Sequence, residues 1–245
     1  MGKILLPDDT EVVVASYGGV GTTFLIEFIR KFKKTNCAHD SDGVKHSPLP
    51  PLSNNPKIKF VYIYGDPRLA VISLFRRKFH RAQSRKLLMY SKEDRSLLKD
   101  NTTLAEYLTW RKDLFRFERH FQNWYDSYLN YPTFFVKIDD LFKVKSELVN
   151  FLELPESALK EFPIQKVRNS KIESLDSSLS NLLDEQYAQF SSFLKGLNSY
   201  VIRIPEASRS RREILQSRPY KIALRQHYLF YLKKTLSNIK RFFIK

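Results

Sequence analysis

The feature that most constrains the fold is a strand, a glycine-rich loop and a helix in immediate succession near the N-terminus. Residues 11–16 read EVVVAS, a β-branched run typical of a buried parallel strand. The loop YGGVG follows, and then TTFLIEFIRKFKK, which places Phe24, Phe28 and Phe32 on one apolar helical face. Glycines allow several loop N–H groups to point inward, and the helix adds the positive end of its dipole. The segment predicts a phosphate-binding loop, with a purely structural turn as the alternative.

Further strands and helices alternate along the chain. Strands are predicted at residues 59–64 (KFVYIY) and 133–138 (TFFVKI). Helices are predicted at 68–80, 103–128, 145–152 and 182–197, with loops at 36–57 and 163–180 and a basic, polar and mixed stretch without a predicted element at 81–102. This alternation favours an α/β fold in which helices cover both faces of a central parallel sheet. We expect residues 1–200 to form that domain and residues 201–245 to form a basic, amphipathic helical extension.

Cysteine usage and hydropathy indicate the compartment. Cys37 is the single cysteine, so a disulfide within the chain is impossible and a reducing compartment is expected. The N-terminal residues lack the apolar core of a signal peptide, and no run of about 20 apolar residues predicts a membrane span. These features predict a cytoplasmic protein.

Positive charge is concentrated near the C-terminus. The chain carries a formal net charge of +16, and residues 203–245 contain twelve Lys and Arg against two Glu. Such a surface favours polyanions, although a merely solvated surface is the alternative. The extension could make a peripheral contact with an anionic membrane, or it could dock on the protein's own core.

The glycine-rich loop lacks the lysine of a Walker A motif, because Thr22 stands where that lysine is required. A magnesium-dependent NTPase is therefore disfavoured. The loop resembles the 5′-phosphosulfate loop of the sulfotransferase family, T-Y-P-K-S-G-T-T, in its Ser-Tyr start and its Gly-Thr-Thr end. Gly18 and Gly19 replace the proline and the lysine, and in that family the lysine stabilises the leaving phosphate. The resemblance implies that the donor is bound by Tyr17, Gly18, Gly19, Val20, Gly21, Thr22 and Thr23.

A second segment, FVYIYGDPRLAVISLFRRKF at residues 60–79, resembles the family's 3′-phosphate motif, R-[DN]-P-R-D-x-x-x-S. The Asp-Pro-Arg triplet and Ser73 match, whereas Gly65 and Leu69 depart from the pattern. The resemblance implies that Ser73 and Arg68 hold the 3′-phosphate, with further charge from the following arginines, since a guanidinium pairs well with phosphate. An ordinary turn with solvated arginines is the alternative.

Two shorter fragments add candidate residues. Lys45-His46 resembles the family's K-T-H, which makes His46 the candidate general base, with His39 as an alternative. Arg168 lies where the family has a loop that closes over the nucleotide, and it is a further candidate for donor binding. An exposed basic loop is the other interpretation of that segment.

The resemblance covers about residues 10–172. It implies a P-loop-containing three-layer α/β/α fold and sulfuryl transfer from 3′-phosphoadenosine 5′-phosphosulfate, without a metal, to a hydroxyl or amine. A carbohydrate or glycolipid acceptor is expected because Tyr107, Trp110 and Trp124 can stack on sugars, although such aromatics can equally form core. The alternatives are a catalytically degenerate nucleotide- or partner-binding module, another P-loop transferase such as a kinase, and, least supported, a nucleic-acid-binding protein.

Overall fold

The computed structural model describes residues 6–88, 97–126, 131–165 and 171–205. Four strands form one sheet in the order β1-β2-β3-β4. They are β1 Val12–Ala15, β2 Lys59–Tyr64, β3 Thr133–Lys137 and β4 Tyr200–Arg203. β1, β2 and β3 are parallel, and β4 runs antiparallel to β3. The predicted α/β class is confirmed, with a sheet that is mostly rather than wholly parallel.

The helices follow and separate the strands. They are α1 Thr22–Ile29, α2 Pro67–Arg76, α3 His80–Leu87, α4 Leu104–Thr109, α5 Phe117–Tyr125, α6 Lys145–Phe151, α7 Ser157–Lys160 and α8 Ser177–Gly196, with a 3₁₀ turn at Ile172–Ser174. α1 packs on β1, and α8 packs against α2 and α4. Within the described part of the chain, no helix is both long enough and apolar enough to cross a bilayer.

The register of the parallel strands places their carboxyl ends side by side. Ala15 pairs with Tyr62, and Tyr64 pairs with Lys137. The segments that leave β1, β2 and β3 therefore meet at one edge of the sheet, which is where open α/β sheets usually bind ligands. The backbone N–H of Ile138, just after β3, donates to the carbonyl of Tyr64 at 2.8 Å and ties two of these segments together.

Aromatic side chains dominate the core. Tyr62 packs within 6 Å of the rings of Phe121, Trp124 and Phe135. Two of the aromatics considered for sugar stacking, Tyr107 and Trp124, are fully buried, and the indole N–H of Trp124 donates to the carbonyl of Ser47. Trp110, in contrast, is 37% exposed. Tyr107 and Trp124 are therefore core residues.

The prediction of one continuous helix at 103–128 is wrong. The structure breaks it into α4 and α5, with Arg111 and Arg116 both in the left-handed region at φ 49°. The carboxylate of Asp113 accepts hydrogen bonds from the backbone N–H groups of Phe115, before α5, and of Phe117, its first residue, so it holds the turn between the helices and competes with a continuous helix.

Three other boundaries differ from the predictions. α3 falls mostly within the mixed stretch 81–102, for which no helix is predicted, and α8 begins at Ser177, where Asp176 accepts a capping hydrogen bond from Leu179. The predicted domain boundary after residue 200 falls within β4. Residues 206–245, most of the predicted C-terminal extension, lie outside the described residues.

Candidate functional site

The glycine-rich loop runs from Ser16, at the end of β1, to Thr23, in the first turn of α1. Gly18, Gly19 and Gly21 have φ angles of 99°, 73° and 78°, which place all three in the left-handed region that favours glycine. Gly21 is the N-cap of α1, so the unpaired N–H groups at the start of that helix lie at the end of the loop. A glycine loop that leads into a helix N-terminus is compatible with anion binding, and the phosphate-binding role of this loop stays a prediction.

The absence of a lysine at position 19 has a structural reason. A Cβ atom at Gly19 would lie 2.8 Å from the backbone of Ala70, so the loop packs directly on α2. At Gly18, a Cβ would lie 2.6 Å from the amide nitrogen of Gln83, whose side chain also donates to the carbonyl of Tyr17. The lysine of the family loop therefore cannot be accommodated on this backbone without moving α2.

Side-chain hydrogen bonds fix the loop at both ends. The hydroxyls of Ser16 and Thr22 lie 2.6 Å apart, and the N–H of Gly18 donates to the Ser16 hydroxyl. Tyr17 is fully buried; its hydroxyl donates to the carbonyl of Gly65 and accepts from the N–H of that residue at 3.0 Å. Tyr17 and Thr22 thus support the loop from within the fold.

A buried ammonium group lies at the end of the loop. Lys45 is 7% exposed, and its Nζ donates to the hydroxyl of Thr23 at 2.6 Å and to the carbonyl of Ala38 at 2.8 Å. Burial lowers its pKa, Asp40 raises it, and Lys86 lowers it again. In the sequence, Lys45 is notable only as a neighbour of His46, because its closeness to Thr23 cannot be seen from the spacing of the residues.

His46 is anchored to the start of the loop. Its Nδ1 lies 2.8 Å from the carbonyl oxygen of Ser16. Since a carbonyl can only accept, Nδ1 carries the proton of the neutral ring and Nε2 carries the lone pair. The pKa of His46 is lowered to about 3, mainly by burial; the hydrogen bond to Ser16 opposes this shift, and the charges of Lys45 and Lys86 contribute to it. The imidazole is therefore neutral near pH 7, with the tautomer that a general base requires.

In the second motif, residues 60–79, the Asp66-Pro67-Arg68 part is held by hydrogen bonds and ion pairs within the protein. Asp66 caps α2 by accepting from the backbone N–H of Arg68, as expected of an Asp-Pro helix start. The guanidinium of Arg68 pairs with Asp66 at 2.6 Å and with Asp184 of α8 at 2.5 Å. The predicted phosphate contact of Arg68 stays a prediction, and it requires these ion pairs to open.

A cleft of about 780 Å³, here called the loop cleft, joins the two motifs. Its walls include the loop residues Gly19, Val20 and Gly21, and Ser73 from α2. The rest of the lining comes from Phe24, Glu27, Phe28, Lys31, Arg76, Arg77, Ile138, Asp139, Phe142, Pro163, Ile164 and Gln165. The loop cleft lies at the carboxyl ends of the parallel strands, where the sheet register brings these segments together.

The loop cleft has a basic and an apolar part. Arg76 and Arg77 are exposed at the end of α2, next to Ser73, whose carbonyl accepts from the guanidinium of Arg77. The apolar part contains Phe24 and Phe142, whose rings are nearly parallel with centroids 5.9 Å apart. Such a cleft suits a ligand that combines a flat apolar ring with anionic groups.

The predicted site residues thus fall into groups. Gly19, Val20, Gly21 and Ser73 line the loop cleft. Gly18 and Thr23 belong to the loop and His46 contacts it, but these three residues do not line the loop cleft. Arg168 lies outside the described residues. Among the residues that the structure describes, no group of three or more His, Cys, Asp or Glu side chains is placed to hold a metal ion.

Comparisons with known proteins add no family assignment. No family model matches the chain, and no curated protein matches it.

Proposed function

We propose that this chain has a P-loop-containing three-layer α/β/α fold of the sulfotransferase type and binds 3′-phosphoadenosine 5′-phosphosulfate in the loop cleft. The observation that carries the proposal is that one cleft combines the glycine-rich loop with Ser73 and its neighbouring arginines, although the two motifs are far apart in the sequence. Two phosphate-binding elements in one cleft fit a ligand that carries phosphate at two positions.

The parts of the donor match the parts of the loop cleft. The 5′-phosphosulfate would bind the loop at Gly19 to Gly21, where helix α1 begins and its dipole favours an anion. The 3′-phosphate would bind Ser73, with the guanidinium groups of Arg76 and Arg77 supplying charge-assisted hydrogen bonds. The purine would lie against the apolar wall that includes Phe24.

The proposed reaction is an in-line transfer. A hydroxyl or amine of the acceptor attacks the sulfur atom, the bond between sulfur and the bridging oxygen breaks, and the bisphosphate leaves with the negative charge. His46 would take the acceptor proton at Nε2, because Nδ1 is held by the Ser16 carbonyl. Lys45 would stabilise the leaving phosphate at the Thr23 end of the loop, in place of the lysine that Gly19 excludes. No step requires a metal.

One observation favours a second candidate, a nucleotide-binding module without turnover. The pKa of His46 lies at about 3, so the imidazole is a weak base before a ligand binds. An anionic donor would offset the repulsion from Lys45 and Lys86 and raise this pKa. Turnover therefore depends on how far the bound anion raises the pKa of His46.

A thermal-shift titration with adenosine 3′,5′-bisphosphate, with ATP as the control ligand, tests the donor site. A hundredfold excess over the dissociation constant stabilises the folded state by about 2.7 kcal/mol, which corresponds to roughly 5–10 °C in Tm. The expected result is a shift with the bisphosphate and little shift with ATP. The double variant Arg76→Ala/Arg77→Ala should lose the shift, whereas Arg119→Ala, which changes an exposed arginine of α5, should keep it.

Equal shifts with both nucleotides, or none with either, would overturn the donor assignment. If the bisphosphate binds, transfer of labelled sulfate from the full donor to a mixture of hydroxyl and amine acceptors separates the enzyme from the binding module.

A further inference from the structure

Strand β4 forms one edge of the sheet, and among the described residues its outer side is open. The strand order ends at β4, and β3 is the described strand that pairs with it. An open edge presents a row of N–H and C=O groups that can pair with a further strand, and proteins commonly block it with a charge, a proline or a bulge. β4 (YVIR) has an uninterrupted register and no proline, and its one charged side chain, Arg203, lies over the ring of Tyr125. The edge is therefore unprotected.

The outward-facing backbone groups of this edge belong to alternate residues. The carbonyl of Ser199 accepts from the N–H of Lys137 at 3.1 Å, so this carbonyl points toward β3. In an antiparallel ladder the direction alternates from one residue to the next, so the backbone groups of Tyr200 and Ile202 point to the open edge. Continuation of the strand by one residue adds Ile204. We call Tyr200, Ile202 and Ile204 the edge row.

The side chains of the edge row form an apolar stripe on one face of the sheet, because residues two apart in a strand share a face. The ring of Tyr200 stacks on that of Phe134, with the centroids 5.0 Å apart, so the stripe continues the core outward. Ile202 and Ile204 are 42% and 78% exposed. The same three residues thus offer both unpaired backbone groups and uncovered apolar side chains.

We propose that the edge row is a dimer interface, at which β4 pairs antiparallel with β4 of a second copy of this chain about a two-fold axis through Ile202. In this register Ile202 lies opposite its own copy, and Tyr200 lies opposite Ile204. Every outward N–H and C=O group of the edge row then has a partner, and each apolar side chain faces another across the axis. The two four-stranded sheets become one continuous sheet.

The side chains favour this register over its two neighbours. An axis through Arg203 would place two guanidinium groups directly opposite each other, and like charges at opposed positions are destabilising. An axis through Val201 would place Ile204 opposite Asn198 and leave its apolar side chain without an apolar partner. Pro205 has no N–H, so the pairing ends directly after Ile204.

A second copy also fits the edge better than the segment that follows it in the chain. Residues 206–212 read EASRSRR and contain no large apolar side chain. A hairpin made by this segment would therefore bring no apolar partner for Ile202 or Ile204, whereas a second edge row matches the first about the axis. The proposal does not depend on the proposed function, because the edge row lies outside the lining of the loop cleft.

Sedimentation of the full chain tests for the dimer. The concentration should range from about 1 µM to about 0.5 mM, since a contact of a few residues on each side is at the small end of protein interfaces and micromolar affinity is expected. Salt at about 0.15 M screens the repulsion between two copies that each carry a net charge of +16. Ile202→Lys should raise the dimer dissociation constant by about tenfold or more, because it places two like charges at the axis. Leu97→Lys, at a side chain that is also 42% exposed, should dimerise like the natural chain.

Disulfide cross-linking tests the register and does not depend on the lysine variant. In a Cys37→Ser background, Ile202→Cys places two thiols at the axis, where the Cα atoms of a hydrogen-bonded pair lie about 5.5 Å apart, within disulfide range. Val201→Cys and Arg203→Cys should not cross-link efficiently, because neither residue lies opposite its own copy. Preferential cross-linking at position 202 supports the proposal. A monomer at every concentration, a dimer that Ile202→Lys leaves intact, or equal cross-linking at all three positions would overturn it and leave the open edge to another occupant, such as residues 206–245 or an extended segment of a different protein.

Discussion

Replacement of Gly19 by alanine tests whether the loop is built on glycine for steric reasons. The residue has φ 73°, and a left-handed conformation costs a non-glycine residue roughly 1–2 kcal/mol. The new Cβ would also lie 2.8 Å from the Cα and carbonyl oxygen of Ala70, and overpacking against groups that cannot rotate away typically costs about 1–3 kcal/mol. We therefore expect Gly19→Ala to lower the free energy of unfolding by about 2–5 kcal/mol, or roughly 4–20 °C in Tm.

The assay is urea denaturation followed by circular dichroism, with Gly196→Ala as the matched control. Gly196 ends α8, its φ is not positive, and no atom lies within 4 Å of a Cβ built there. The control should be neutral or stabilising by up to about 1 kcal/mol. If the two variants had unfolding free energies within 1 kcal/mol of each other (roughly the resolution of such measurements), the steric account of the missing lysine would be refuted.

Three further outcomes are expected. Asp113→Ala removes the acceptor for the backbone N–H groups of Phe115 and Phe117 and should lower the free energy of unfolding in urea by about 3 kcal/mol. Glu118→Ala, on the exposed face of α5, should lower it by less than about 0.5 kcal/mol. Burial lowers the pKa of His120 to about 3, so its contribution to stability is present above the unfolded value near 6.5 and is lost as the pH falls. The Tm of His120→Gln should therefore fall less than that of the natural chain between pH 6.5 and 4.5, and equal slopes would contradict this. Lys45→Met replaces a buried charged side chain by an apolar one of similar length, so it should not lower stability. It should weaken bisphosphate binding in the thermal-shift titration by about tenfold. Unchanged affinity would exclude Lys45 from the site.

The sequence predicted the parts of the fold that depend on contiguous residues. β1, β2 and β3 are short apolar runs, so their location followed from composition and flanking turns alone. β4 was missed because Tyr200–Arg203 is only partly buried and is defined by its pairing with β3, which no local pattern reports. The break between α4 and α5 is not visible in the sequence, because Asp113 resembles an ordinary helix residue and only the structure shows its carboxylate bound to the backbone of the turn before α5.

The same limit applies to the candidate site. Gly19, Gly21 and Ser73 belong to local motifs that the sequence shows directly, and all three line one cleft; their contact with a ligand stays a prediction. Arg68 was assigned by motif, but its partner Asp184 lies on α8, far along the chain. The contact between Lys45 and Thr23 likewise depends on the folding of an irregular segment back onto the loop. Partners distant in the sequence decide which of several basic residues faces a ligand.

The reciprocal hydrogen bonds between the Tyr17 hydroxyl and the backbone of Gly65 have a kinetic consequence. The Tyr17 phenol links the segments that leave β1 and β2, and these are the segments that carry the two proposed phosphate-binding motifs. Under the proposed function, a nucleotide would bind between two motifs that are already held at a fixed separation, so no ordering step would precede binding. In stopped-flow experiments the observed rate should rise linearly with nucleotide concentration, and replacement of this phenol by phenylalanine should introduce a plateau as the two segments drift apart and must first come together.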